Sequence, residues 1–213
     1  MEEGSSSNTT ESIESKNSME GKRLSRMETT LPAFKESQLI GREKEKSEII
    51  KMISNTHSQE FEVISICGMG GLGKTTLVKY VYRSQELNAM FEKCACVTIN
   101  RPFNPSELIN SLAAQLGGDK LVDLLEGKNY LIVLDDISST TEWDAIVKYF
   151  PTTVTTSRII VTTREENIAK HCSKKERNIY KLKLLGDKDA HDLFTEKTLI
   201  EIFEAQPRTN RPD

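Results

Sequence analysis

The stretch GMGGLGKTT at positions 68–76 constrains this chain more than any other. An apolar run, EFEVISIC (60–67), leads straight into it, and the segment KTTLVKYVYRS that completes it carries Leu77, Val78 and Val81 at helical spacing. A strand that passes through glycines into a helix needs backbone conformations that only glycine adopts freely. Gly68, Gly73, Lys74 and Thr75 satisfy the spacing G-x-x-x-x-G-K-[ST] in full, with the strand before and the helix after that the pattern requires. The chemistry explains the spacing. A loop of Gly68, Met69, Gly70, Gly71, Leu72 and Gly73 can curl so that successive N–H groups point inward at a β-phosphate, and the helix behind it adds its positive end. Lys74 then neutralises β and γ oxygens, Thr75 offers a hydroxyl to Mg²⁺, and Thr76 faces the α-phosphate region. A plain Gly-rich turn is the competing reading, and the flanking elements weigh against it.

The remainder of the chain repeats the alternation of strand and helix. Residues 43–54 carry Glu45, Ile49, Met52 and Ile53 at helical spacing. Strand-like runs follow at 93–99 (KCACVTI), 129–136 (NYLIVLDD), 157–164 (SRIIVTTR) and 178–185 (NIYKLKLL). Helical segments lie between them at 104–118, with Pro105 early and Ser106 available as a cap, at 141–150, halted by Pro151, and at 165–172. A last helix is expected over 187–203, with Ala190, Leu193, Phe194 and Thr198 on one side. Apolar strands separated by helices imply an α/β fold: a five-stranded, mostly parallel sheet flanked by helices on both faces, a three-layer α/β/α arrangement spanning 38–203. Residues 1–30 are rich in Ser, Thr, Asn and Glu and read as a disordered arm, and the polar, Pro-containing 204–213 as a disordered tail.

Two further segments belong with the loop. LIVLDD ends a buried strand in acids, so that Asp135 can hold Mg²⁺ through its water shell. Asp136 follows it. It is read either as a residue that positions water, acting as a weak general base, or as a structural or switch-linked carboxylate. IIVTTR leaves its strand through polar residues, and Arg164 at its edge either reaches a γ-phosphate and reports its presence or is a plain surface arginine; the order of the three segments favours the first. Arg158, at the other end of that strand, is expected to be solvated, and Trp143 to anchor its helix on the sheet. Arg42, ahead of the first helix, would pass by itself as a surface residue.

Bulk properties exclude several classes. A net charge of −3 gives no electrostatic footprint for nucleic acid, and the GKRLSR cluster at 21–26 is too sparse to supply one. No uncharged apolar stretch approaches the ~20 residues of a membrane span, and the polar N-terminus is unlike a secretory signal. Cys94 and Cys96 lack the spacing and companions of a zinc site, so these two thiols, with Cys67 and Cys172, are expected to be buried in a reducing compartment.

With those residues in place, the chain resembles the nucleotide-binding part of the NB-ARC module of plant intracellular immune receptors, the nucleotide-binding leucine-rich-repeat (NLR) disease-resistance proteins. LIGRE, GMGGLGKTTLVKYVY, FEKCACVTI, YLIVLDDISSTTEW, TSRIIVTTR and YKLKLLGDKDAHDLF match the family's motifs in order, from about Leu39 to Lys197. The resemblance implies a P-loop NTPase fold of the STAND/ASCE-like kind, with ADP or ATP and Mg²⁺ as ligands. It adds Arg42 to the nucleotide contacts, in a segment that closes over adenine, and makes Arg164 the family's sensor arginine. It implies a switch in which exchange of ADP for ATP permits oligomerisation and defence signalling, in the cytoplasm or shuttling to the nucleus, with at most weak ATPase activity. A slow Mg²⁺-dependent ATPase remains an alternative. So does a short regulatory protein with a partly vestigial site that pairs with a full-length NLR receptor or with itself. DDIS stands where coiled-coil members have DDVW, and Cys96 stands where a tryptophan is usual. Nothing after Phe203 resembles the GLPLA or MHD segments, so the expectation is a module without its ARC and leucine-rich-repeat parts and with weakened nucleotide retention.

Overall fold

The computed structural model describes residues 39–55, 60–154 and 156–205; the expected arm at 1–30 and residues 206–213 of the tail expected over 204–213 lie outside them, while 204–205 are helical. The elements in chain order are α1 (Glu43–Ile53), β1 (Glu62–Cys67), α2 (Lys74–Tyr82), α3 (Gln85–Met90), β2 (Lys93–Thr98), α4 (Pro105–Leu116), α5 (Leu121–Leu125), β3 (Tyr130–Ile137), α6 (Thr140–Ile146), β4 (Arg158–Thr163), α7 (Glu166–Ser173), β5 (Ile179–Lys181) and α8 (Asp187–Ala205). The strands form one sheet in the order β2-β3-β4-β1-β5, and every pairing is parallel. Thus β4 stands between β1, which delivers the glycine loop, and β3, which delivers the two aspartates.

Residues of β1, β3 and β4 are buried almost throughout, as parallel strands covered on both faces must be. The period of two divides β3 between the layers. Tyr130, Ile132 and Leu134 join the cluster built with Leu108 and Leu112 of α4, Leu121 and Leu125 of α5, Trp143 of α6 and Ile168 of α7. Leu131 and Val133 point to the other face, where α2 crosses β3 and β4 and α1 packs on α2. Trp143 is a core anchor, as its position implied, and each such fully buried large apolar side chain contributes about 1.5–3 kcal/mol. Cys67, Cys96 and Cys172 are buried thiols; burial pushes Cys96 and Cys172 up to about 12.

Several local details differ from the expectations. α4 is capped by Asn104 and not by Ser106: the Asn104 side chain accepts from the amides of Ser106 (3.0 Å) and Glu107 (3.3 Å), because the residue before Pro105 is held out of the helix while Ser106 is already inside it. The helix expected over 141–150 tightens into a 3₁₀ turn at Val147–Tyr149. β5 is only three residues long, because β1 turns away at Cys67, whose carbonyl accepts the last bond from Leu182 N–H (2.8 Å). α3 and α5 have six and five residues, too few for a periodic signal. α8 runs on to Ala205, and Phe194 on its expected apolar side is exposed.

The largest correction concerns Arg158, which is buried (1 % exposed), not solvated. Its guanidinium donates to the carbonyls of Ser157 (2.9 Å), Asn55 (3.3 Å) and Glu60 (3.4 Å), tying the start of β4 to the segments between α1 and β1. Periodicity could not reveal this, because Asn55 and Glu60 are brought to it only by the β1–β4 pairing. Burial pulls the Arg158 guanidinium below its ordinary range, yet its carbonyl partners need the donors. Arg158→Ala is expected to lower the free energy of unfolding by about 2–4 kcal/mol, since buried acceptors left unpaired cost about 1–3 kcal/mol each. Urea denaturation of the two proteins, with an unchanged slope, checks it.

Candidate functional site

The C-terminal ends of β1, β4 and β3 lie side by side, and three residue groups meet there. The first is the loop leaving β1. Gly68 has φ +154°, and a Cβ on it would stand 2.8 Å from the Leu182 carbonyl oxygen, so the loop passes the chain after β5 too closely for any side chain. Gly73 takes φ +83° at the head of α2, with no side chain capping that end and no acid in the first turn. The amides at the start of α2 are therefore free of a competing carboxylate. Met69 stands exposed at the loop tip, Thr75 is exposed, and Thr76 is half-buried.

Lys74 is 8 % exposed, and its Nζ donates back into the loop, to the carbonyls of Gly68 (2.6 Å) and Met69 (2.7 Å). Burial, and then the nearby Arg164 charge, push this ammonium below the ordinary lysine range, against the opposing pull of Asp136 and Asp135. A cation in that condition gains from an anion that enters the loop.

The second group is centred on Asp135, buried at 1 % exposure. Its Oδ1 accepts from the hydroxyls of Thr162 (2.6 Å) and Thr75 (3.1 Å), and its Oδ2 from the hydroxyl of Thr98 (3.2 Å). Thr75 and Asp135, the two residues expected to serve Mg²⁺, are thus in direct contact and offer hard oxygen donors at the mouth of the loop. Among the described residues no group of three or more His, Cys, Asp or Glu could hold a metal by itself. This donor set fits an ion that takes one or two protein oxygens and completes its shell with phosphate and water, which is the habit of Mg²⁺.

The third group is Asp136 with Arg164. The β3–β4 register shifts between Leu134 and Ile137, so β3 bulges, and Asp136 takes φ +71°. Its N–H donates to the Thr162 hydroxyl (2.9 Å), and its carboxylate lies 3.6 Å from Arg164 Nε. Both side chains are accessible, so this ion pair contributes little stability and is free to be exchanged for another anion. A Cβ on Gly70 would lie 3.9 Å from Arg164 Nη1, which puts the guanidinium at the edge of the glycine loop.

Arg42 is buried and not an ordinary surface residue. It donates to Glu45 (2.6 Å), to the Leu72 carbonyl (3.3 Å) and to the Lys183 carbonyl (2.7 Å), joining the glycine loop to the chain after β5. Of the residues singled out from the sequence, Lys74, Thr75, Asp135, Asp136 and Arg164 lie together at this edge of the sheet. Sequence reasoning missed Thr98 and Thr162, the hydroxyls that hold Asp135, and it missed Arg101, which donates to the Asp136 carbonyl (2.7 Å) and to Glu142 (2.6 Å). A threonine at the end of each strand beside LIVLDD was the only available signal. Thr162→Val, which keeps the shape, is expected to destabilise the protein by about 1–3 kcal/mol, because a buried carboxylate loses its shortest hydrogen bond and the Asp136 amide its acceptor. Thermal unfolding monitored by circular dichroism checks it.

Comparison with known proteins agrees with this geometry. The model of the NB-ARC domain matches residues 42–201. Relatives include disease resistance RPP13-like protein 4 of Arabidopsis thaliana, 30% identical over 76% of this chain and 20% of its own length. Disease resistance protein RPM1 of Arabidopsis thaliana is 31% identical over 80% of this chain and 20% of its own, and putative disease resistance protein RGA1 of Solanum bulbocastanum is 31% identical over 81% and 19%. The chain thus spans about a fifth of the length of these relatives. Among solved structures, CDC6P from Pyrobaculum aerophilum is 13% identical with a TM-score of 0.55, covering 80% of this chain and 52% of that one. A chain from Drosophila ORC bound to DNA is 17% identical with a TM-score of 0.53, covering 85% and 58%. These two likenesses are of fold alone, that of the P-loop NTPases. The glycine loop, the strand order and a family match that spans most of the chain agree, and the chain belongs to the NB-ARC domain family.

Proposed function

We propose that this chain is the nucleotide-binding switch module of a plant disease-resistance protein, which holds ADP or ATP with Mg²⁺ and changes its partners according to which is bound. One observation carries the reading: the buried Asp135 carboxylate is in direct contact with the Thr75 hydroxyl, beside a loop into which Lys74 is folded and whose following helix has no side chain capping its N-terminus. In this reading the Gly68–Gly73 backbone and Lys74 take the β-phosphate, Thr75 and Asp135 hold the cation, and Thr76 lies toward the α-phosphate. Bound Mg²⁺ supplies charge neutralisation between the phosphates. Arg164, now lightly paired with Asp136, is available to a γ-phosphate, so the presence of that group re-sorts the pair. Arg42 acts at one remove, by holding the Leu72 end of the loop.

A switch works by differential affinity of two arrangements for the two nucleotides, and turnover is not needed. Asp136 is one methylene shorter than the glutamate that usually positions water, and its backbone is in the left-handed region; both favour reading a nucleotide over consuming it. The relatives' names point to plant defence, and the output would be pairing with a full-length receptor or self-association in the cytoplasm or nucleus. Among the described residues no helix is long and apolar enough to cross a membrane.

The chain purified without added nucleotide is expected to carry ADP, identified by mass spectrometry of the released ligand. Lys74→Ala should weaken ADP binding by about 10- to 100-fold, the equivalent of one or two charge-assisted hydrogen bonds of about 1.5 kcal/mol each. Calorimetric titration with ADP that shows no difference between the two proteins would sink the reading. Chelating Mg²⁺ should weaken ATP by about tenfold in the parent protein and leave a Thr75→Val variant unchanged, as measured by displacement of a fluorescent nucleotide.

A further inference from the structure

The bulge at the end of β3 creates a local problem. Asp136 is a non-glycine residue in the left-handed region, a strained conformation for an L side chain. Its N–H and C=O have also left the regular β3–β4 ladder. Backbone groups in that position need other partners, or the bulge relaxes. The Thr162 hydroxyl accepts from the Asp136 N–H (2.9 Å). The carbonyl is taken by Arg101, whose Nη2 donates to it at 2.7 Å.

Arg101 is itself aimed. It lies just past β2, the neighbour of β3, and its other terminal nitrogen meets Glu142 Oε1 at 2.6 Å. Glu142 is mostly buried and accepts from both the N–H and the hydroxyl of Ser138 (2.9 Å each), while its own N–H donates to the Ser139 hydroxyl that caps α6 (3.1 Å). Side chains thus hold much of the turn from Asp136 to Glu142, Thr162 of β4 reaching it from one side and Arg101, in the loop after β2, from the other. The ion pair with Glu142 by itself would only tie Arg101 to the start of α6. The second arm, to a carbonyl of the reading edge, gives the residue a different role.

We propose that Arg101 is a positioning residue: by holding the Asp136 carbonyl it fixes the left-handed peptide that points the Asp136 carboxylate at Arg164. The direction of a side chain follows the φ of its own residue, so release of the carbonyl lets Asp136 return to the common region and swing its carboxylate away. The consequence for nucleotide reading rests on the function proposed above; the positioning itself does not.

The test uses the full chain and the variants Arg101→Gln, Arg101→Lys, Asp136→Asn and the double variant R101Q/D136N. Amide hydrogen exchange read by mass spectrometry is expected to quicken about tenfold in the peptide covering 136–139 of Arg101→Gln, with β1 and β4 unchanged. ADP affinity should stay within about twofold, while the ratio of ATP to ADP affinity shifts about fivefold or more in the same direction as in Asp136→Asn, and no further in the double variant. Arg101→Lys, which keeps the charge facing Glu142 but not the planar fork, should fall between; it carries the same readouts if Arg101→Gln does not fold. Unchanged exchange at 136–139, or effects of Arg101→Gln and Asp136→Asn that simply add, would overturn the proposal. If the parent chain binds neither nucleotide, the functional reading falls, and the exchange experiment still decides the positioning role.

Discussion

A carboxylate with almost no access to water has to be held by donors, and Asp135 is held by three threonine hydroxyls from three different elements. Thr75 comes from the first turn of α2, Thr98 from the end of β2 and Thr162 from β4. A buried polar group without such partners costs a large fraction of a domain's net stability, so these bonds fix the elements that carry them. They fasten the glycine loop's helix to the strand that ends in the aspartates.

The sheet order is what makes this possible. With β4 inserted between β1 and β3, the loop and the aspartates stand two strands apart, and the strand between them supplies Thr162 below and Arg164 beyond. Thr162 serves twice, accepting from the Asp136 amide while donating to Asp135. The bulge and the buried carboxylate are thus a single arrangement. On the other side of β1 the short β5 lets the chain turn back over Gly68, where Arg42 ties it to the loop. The phosphate loop is therefore gripped from both flanks, by Thr75 and Asp135 on one and by Arg42 on the other.

The parts legible in the sequence were those governed by local pattern. The apolar runs of β1, β3 and β4 could be placed because central parallel strands are buried on both faces and therefore continuous in hydrophobicity. Spacing alone identified Gly68, Gly73, Lys74 and Thr75, since backbone curvature and helix start demand those residue types. The failures have a common cause. Arg158 looked solvated because charge is usually exposed, yet it is buried against the Asn55 and Glu60 carbonyls that only pairing with β1 brings to it. Ser106 looked like a cap where Asn104 serves, a one-residue ambiguity that Pro105 resolves through backbone sterics. The extent of β5 depended on where its neighbour stopped, and no local signal records that.

By itself, the sequence determined that a strand passes through glycines into a helix, that acids end a buried strand, and that helices alternate with strands, because these follow from side-chain size, backbone freedom and periodicity. Only the tertiary structure decided that β4 separates β1 from β3, that three hydroxyls converge on Asp135, and that Arg101 reaches the carbonyl of Asp136. Those depend on which strands become neighbours and on a bulge at the end of one of them, and hydrogen bonds across such distances leave no spacing in the chain to read.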